Sequence, residues 1–413
     1  MIKVYPSILK GTLKAVASKS HAQRLLFAAA MPSRPTIIAN PPLCDDINTT
    51  LEVLSAFGCR IAKSRKNEIL IDPFAKNDPL RELSFDFKNS GTTARLALAV
   101  CGAMGYKADC VCSPSLEKRH QLPLISRMAL RGIKFTGFSL PLEMSGRLEP
   151  GEYVFRGDEG SQYISSIMYA LPLLSADSKI ILETPLVDEA FVELTTDILK
   201  KFKITIEKTD YGFYVPGRQK FESPNHAKTE NDWGLASMWI TAAAACSLKG
   251  GSITVTDLPK KSPQMYRDLK PLLSLIAQDF KSINIDASKC PSLAPLFAAL
   301  AIMKGAAVSI TGVPQLKFKE TNQLETLASI AMELGTIASV LDDGIVISEN
   351  QNPSITENTV IDCKNDPWIF MSFVLSSVVC DKPFALSNEK TAEKIYTNFL
   401  NDFKALGGQF TIE

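Results

Sequence analysis

The chain has 413 residues, 46% hydrophobic and 22% charged, which predicts a soluble globular protein of two or three domains with full apolar cores. Forty-five Lys+Arg against 44 Asp+Glu leave a net charge of +1, and no run of like charge breaks that balance. A nucleic-acid or membrane-surface partner is therefore excluded as an expectation, and any bound anion must be held by local placement of charge.

The opening MIKVYPSILKG lacks the apolar core of a secretion signal, and the longest apolar stretch, 235–248, is too short and alanine-rich to span a bilayer. A cytoplasmic protein is expected. The nine cysteines are odd in number and mostly set in apolar surroundings, which predicts buried reduced thiols. His21, His120 and His226 have no metal-ligand spacing, so no metal or cofactor is expected.

Along the chain, one pattern occurs six times: an apolar helix of small residues, a break, then a β-branched strand. The copies are LLFAAAMPSRPTIIAN (25–40), LALAVCGAMGYKADCVC (96–112), IMYALPLLSADSKIILE (167–183), WITAAAACSLKGGSITVTD (239–257), FAALAIMKGAAVSITG (297–312) and FMSFVLSSVVCDKPFALS (370–387). Polar turns and amphipathic helices follow, as in DDINTTLEVLSAFG, AFVELTTDILKKF and NQLETLASIAMELG. Each repeat is a whole α/β subdomain, and six of them predict two domains of three. The alanine-rich helices have no polar side and must be buried. The polar stretch GRQKFESPNHAKTEND is the best boundary.

The residues that open each buried helix carry the chemistry. A helix N-terminus has unpaired N–H groups and partial positive charge, which suits phosphate or carboxylate. The first start, ASKSHAQR, holds Ser18, Lys19, Ser20 and Arg24. The second, KNSGTTAR, holds Asn89, Gly91, Thr92 and Arg95, with Gly91 letting a ligand approach the backbone. The third, GDEGSQY, holds Ser161 and Gln162, and the fourth places Asp232 as an N-cap. Taken singly, each is an ordinary capping segment. Three cation- or amide-bearing starts at equivalent places point instead to a shared anion cradle.

ASKSHAQR, NSGTTAR, GSQY and KFKETNQL, in that order along nearly the whole chain, resemble the enolpyruvyl transferases, and within them the EPSP synthase family. The resemblance implies an α/β fold of two domains, each an inside-out α/β barrel of three βαβαββ units around buried helices, hinged about a cleft. It implies one domain from 1–13 plus 231–413, another from 14–230, and a monomer without cofactor. It implies small-molecule substrates, shikimate 3-phosphate and phosphoenolpyruvate, with transfer of the enolpyruvyl group to a hydroxyl and loss of phosphate.

Carried over residue by residue, the shikimate 3-phosphate site takes Lys19, Ser20, Arg24, Ser161, Gln162 and Lys319. The phosphoenolpyruvate site takes Lys19, Asn89, Gly91, Arg119, Gln162 and Lys390. Lys19, Lys319 and Glu320 are the implied catalytic residues. Two polyanions held side by side need cations to offset their repulsion, and the addition needs groups that move protons near neutral pH.

Five positions depart from the family pattern. The Asp of the P-D motif is Ser292, the Arg of K-E-T-D-R is Gln323, the His-Arg of D-H-R is Pro367-Trp368, and a phosphate-contacting serine is Asp188. The two absent arginines are family ligands of phosphoenolpyruvate, and a bidentate guanidinium is not replaced by Gln or Trp. Losing one partner of a buried charge pair costs about 3–5 kcal/mol, a hundredfold or more at about 1.4 kcal/mol per decade. A working transferase must cover that loss with Lys317, Lys390 or Arg95. The alternatives are an enzyme whose second substrate is smaller or less anionic, and a non-catalytic paralogue that binds a phosphorylated cyclitol. The sister activity on UDP-N-acetylglucosamine is disfavoured, because the first helix lacks its Lys-Asn start and no catalytic cysteine loop matches.

Overall fold

The structure is a computed structural model that describes residues 1–74, 82–264, 269–278, 280–319 and 321–412. The chain divides into a continuous unit, Ala17–Glu230, and a discontinuous one, Met1–Val16 with Asn231–Glu413.

The continuous unit contains three four-stranded sheets of one design. The plainest copy runs Glu82–Asp86, Lys107–Val111, Leu142–Gly146, Ile133–Phe135. Its first two strands are parallel, and the others are antiparallel. A parallel pair needs a crossover, and the helix Gly91–Met104 supplies it. The sheet beginning Glu152–Phe155 repeats the design around the helix Ser161–Ala170. In the remaining copy the helix Lys19–Ala29 opens the unit, so no strand precedes it. The parallel partner of Thr36–Ala39 comes from His226–Lys228 at the other end of the unit. Ser18 N–H donates to the Glu230 carbonyl at 2.8 Å, which ties the two ends together.

The discontinuous unit follows the same design. Ser282–Asp286 pairs in parallel with Ala307–Thr311 across the helix Ala294–Lys304. Val360–Ile361 pairs with Phe384–Leu386 across the helix Pro367–Ser376, and Ile2–Tyr5 then inserts between Phe384–Leu386 and Gln409–Ile412. Lys10–Lys14 pairs with Ser252–Thr256, which keeps Lys14 in this unit.

The six helices of small residues lie in two apolar cores, one per unit. Every residue from Ala294 to Met303 is buried. Small side chains allow the close approach that this requires: a Cβ on Gly102 would sit 2.9 Å from the Met128 side chain. The helices Asp45–Ala56, Glu189–Lys201 and Gln323–Glu333 bury one face only, as their periodicity predicts. All nine cysteines are free thiols, and all but the half-buried Cys112 are buried. Among the described residues no helix is long and apolar enough to cross a membrane, and no cluster of potential metal ligands occurs.

Candidate active site

In the continuous unit the stretch ASKSHAQR becomes the start of the helix Lys19–Ala29. Ser18 is the N-cap, and its first turn carries no acidic residue to offset the partial positive charge. Lys19 Nζ lies 2.8 Å from Asp46 Oδ2, with both side chains about one-fifth exposed. Arg24 is 2% exposed. Its guanidinium donates from Nε to Thr195 Oγ1 (2.7 Å), from Nη1 to the Ser20 carbonyl (3.0 Å) and from Nη2 to Ser165 Oγ (3.3 Å). All three acceptors are neutral, and among the described residues no carboxylate pairs with Arg24. Burial lowers its pKa to about 10. A buried cation held by neutral groups alone is unfavourable, and an incoming anion relieves it.

A second guanidinium lies at the next helix start. Arg95 is 6% exposed and stands 4.9 Å above the Tyr163 ring. It donates to Gln162 Oε1 and to the His120 carbonyl, which also accepts from the Tyr163 hydroxyl at 2.7 Å. Burial lowers the Arg95 pKa, and the neighbouring Arg119 lowers it further, against a favourable contribution from Tyr163. Because an arginine only donates, Gln162 must turn its oxygen to Arg95. Its –NH2 group is then the end that can donate to a ligand oxygen. Arg95 thus orients Gln162 and the His120 turn that follows Arg119, a role that the sequence did not reveal.

Gly91 opens the Gly91–Met104 helix, and a Cβ there would meet Arg95 Nη1 at 2.9 Å, Arg119 Nη1 at 3.3 Å and Leu116 Cδ1 at 3.5 Å. Both guanidiniums therefore crowd the glycine. Gly91→Ala is expected to push them apart and raise the KM for phosphoenolpyruvate, the substrate that the family resemblance assigns to Gly91 and Arg119, about tenfold, or about 1.4 kcal/mol of lost binding. Steady-state kinetics check it, and an unchanged KM would show that neither arginine serves that substrate.

Asn89 is exposed, and its side-chain oxygen accepts from the Ser113 and Ser115 hydroxyls. Ser161 is buried in the first turn of its helix. Asp188 has left-handed backbone at the N-cap of the Glu189–Lys201 helix.

Beneath these starts lies a polar network. Buried Gln23 donates to Ser90 and Thr93 hydroxyls, both at 3.0 Å, while Thr50 Oγ1 lies 2.8 Å from Thr93 Oγ1 and donates to the Asp46 carbonyl at 2.7 Å. The helix that bears Lys19 is thereby coupled to the one that bears its partner Asp46 and to the one that begins at Gly91.

His21 is 1% exposed, and its Nδ1 has no hydrogen-bond partner among the described residues. Burial, then Lys201 and Arg24, pull its pKa from 6.5 down to about 3. The folded chain keeps His21 neutral where the unfolded chain protonates it, so stability falls as pH drops from 6.5 towards 3. The slope is up to about 1.4 kcal/mol per pH unit, or about 3 kcal/mol by about pH 4. His21→Gln should flatten that limb in pH-dependent denaturation, and an unchanged limb would assign the loss to other groups.

In the discontinuous unit, Asp366 is fully buried as the N-cap of the Pro367–Ser376 helix. Its Oδ1 accepts from Trp368 N (2.9 Å), Ile369 N (3.1 Å) and Gln323 Nε2 (3.1 Å). Its Oδ2 accepts from Gln323 Nε2 (2.9 Å) and Thr321 Oγ1 (3.1 Å). Gln323 is thus turned inward. Ser292 and Trp368 flank one glycine: a Cβ on Gly234 would lie 3.3 Å from Ser292 Oγ and 3.4 Å from Trp368 Cη2. Trp368 is half-buried and packs on the core. Lys319 is half-buried, Lys390 is exposed, and Glu320 lies outside the described residues.

A family model for "EPSP synthase (3-phosphoshikimate 1-carboxyvinyltransferase)" matches residues 5–403. The chain belongs to the EPSP synthase family. It is 28% identical to a 3-phosphoshikimate 1-carboxyvinyltransferase of Clostridium novyi, over 98% of this chain and 97% of that one. It is 29% identical to the one of Clostridium acetobutylicum, with the same coverage. Among solved structures it resembles the EPSP synthase of Acinetobacter baumannii (TM-score 0.77, 18% identity, 100% and 99% of the two chains). It also resembles the enolpyruvyl transferase NikO of Streptomyces tendae (TM-score 0.73, 15% identity, 99% and 98%). At these identities the structural likenesses establish the fold: two domains built from the repeats described above.

For an EPSP synthase family member, eight of the residues implied by the family pattern fall in the continuous unit: Lys19, Ser20, Arg24, Asn89, Gly91, Arg119, Ser161 and Gln162. Lys319 and Lys390 fall in the discontinuous unit with the departures Ser292, Gln323, Pro367 and Trp368. Asp46, Gln23, Tyr163 and Asp366 were missed from sequence. Asp366 alone had a readable signal, an Asp directly before a Pro at a helix start.

Proposed function

We propose that this chain transfers the carboxyvinyl group of phosphoenolpyruvate to the 5-hydroxyl of shikimate 3-phosphate and releases phosphate, a cytoplasmic step of aromatic amino-acid biosynthesis. Membership of the family supports this reading, and Arg24, a buried cation with only neutral partners, is the observation that carries it. The shikimate ligand, anionic at both carboxylate and phosphate, is assigned to Lys19, Ser20, Arg24, Ser161, Gln162 and Lys319. Phosphoenolpyruvate is assigned to Lys19, Asn89, Gly91, Arg119, Gln162 and Lys390.

The chemistry is addition followed by elimination. The hydroxyl oxygen bonds to the enol carbon as its proton leaves, and the methylene carbon gains a proton. A methyl proton is then lost as the phosphate departs, which restores the double bond. No oxidation state changes overall, so the reaction needs no redox cofactor. Lys19, Lys319 and Glu320 are assigned to proton movement, and the guanidinium of Arg119 to the charge on the leaving phosphate. The chain is taken to act as a monomer.

A second reading, an altered second substrate of lower charge, is favoured by one observation: Gln323 spends its amide on Asp366. The two readings part in a complementation test. Expression in a bacterium that lacks its own transferase should restore growth without aromatic amino acids, whereas the Lys19→Met variant should not. Soluble, folded protein without growth would favour the altered-substrate reading.

A further inference from the structure

Two segments of the discontinuous unit that carry assigned residues meet at one short loop. Asp366 receives Thr321 and Gln323, which lie two and four positions after Lys319 in the chain. The residue before it receives the other segment: Asn365 Oδ1 accepts from Asn388 Nδ2 at 2.5 Å, and the Asn365 carbonyl accepts from Lys394 Nζ at 2.8 Å. Lys390 lies between these two contacts, in the 3-10 helix Glu389–Lys394. Asp362 adds a third tie, since Ser387 Oγ donates to its Oδ1 at 3.2 Å.

The backbone of the loop is unusual. Lys364 and Asn365 are consecutive non-glycine residues with positive φ, 50° and 58°, and Asn388 facing them has φ 54°. Such conformations persist only where surrounding contacts impose them. Asp366 is itself fully buried. It caps the Pro367–Ser376 helix through the Trp368 and Ile369 N–H groups while accepting from the side-chain amide of Gln323, the first residue of the Gln323–Glu333 helix.

We propose that Asn365–Asp366 is the positioning element of this unit, holding the Lys319 segment and the Lys390 segment at a fixed separation. Gln323, which occupies a position where the family pattern has an arginine, works as one arm of that element and does not contact substrate. This rests on the assignment of Lys319 and Lys390 to the site.

The test reads both lysines without turnover. The intact protein is acylated briefly with an amine-reactive reagent, and the rate at each lysine is read by mass spectrometry. Gln323→Glu sets a carboxylate against Asp366 and should change the Lys319 rate about three- to tenfold, the effect of losing a local hydrogen bond. Adding Asp366→Asn restores donor to acceptor and should return the rate to that of the wild type. Thr321→Val, a milder change, covers the case in which Gln323→Glu fails to fold. Asn365→Gly tolerates the left-handed backbone and removes only the side-chain tie, so it should move the Lys390 rate and leave Lys319 unchanged.

With phosphoenolpyruvate turnover as a second readout, KM should rise more than kcat falls in each single variant. Unchanged rates at both lysines in folded variants would overturn the proposal. So would equal changes at remote lysines such as Lys134, which would mark general loosening. Because acylation needs no substrate, the proposal is judged even if the chain fails to use shikimate 3-phosphate.

Discussion

Arg24→Met should weaken shikimate 3-phosphate binding by a hundredfold or more while leaving the ligand-free protein as stable as the wild type, or more so. The two halves of this expectation have one cause. The guanidinium is buried among Thr195, Ser165 and the Ser20 carbonyl, with no carboxylate partner among the described residues. Methionine fills much of the same volume beside Phe191, whose ring centroid is 5.8 Å from the guanidinium carbon, and removes the burden of a desolvated charge. With ligand present the sign reverses, because the anion loses a charge-assisted contact in a water-poor site, about 3–5 kcal/mol by analogy with broken buried pairs. Thermal melts with and without ligand check both halves. A large drop in ligand-free stability would make Arg24 a structural residue.

Lys19→Met should lower kcat about a thousandfold, within the range expected for a positioned proton-transfer group. The ammonium lies 2.8 Å from Asp46. Its loss removes a cation and exposes an anion at the place assigned to two polyanionic substrates. The double variant Lys19→Met/Asp46→Asn separates these effects, since it removes both charges. Substrate affinity should recover in the double variant and kcat should not. If kcat recovers too, Lys19 acts only through its charge.

The helical repeat was legible in sequence because a face of consecutive alanines favours a core, and the six helices line the two cores, with Ile240, Ala244 and Ala245 of the Trp233–Ala245 helix half-buried. Strand exchange was not legible. Ile2–Tyr5 joins Phe384–Leu386, and His226–Lys228 joins Thr36–Ala39, through backbone pairing between distant segments that no local pattern encodes. At the site, residue types were readable and their partners were not. The spacing of Ser18, Lys19 and Arg24 reads as an anion site, whereas their partners Asp46 and Thr195 come from other helices.

Gln323 is the clearest case. In sequence it reads as a lost arginine; in the structure it is an inward-facing donor to a buried carboxylate. Trp368 and Ser292, separate in sequence, come together over Gly234, so these two departures change one patch. Arg95 read as one of the cations that could replace the absent arginines. In the structure its hydrogen bonds go to Gln162 and the His120 carbonyl, so it holds neighbouring protein groups in place.

The most direct test of the account is phosphate release by the purified protein, with shikimate 3-phosphate and phosphoenolpyruvate each titrated against a saturating amount of the other and each omitted in turn. The account predicts saturable release that needs both substrates, with the wild type half-saturated by shikimate 3-phosphate at far lower concentration than Arg24→Met. Release that ignores shikimate 3-phosphate, or its absence from folded protein at any concentration of either substrate, would contradict it.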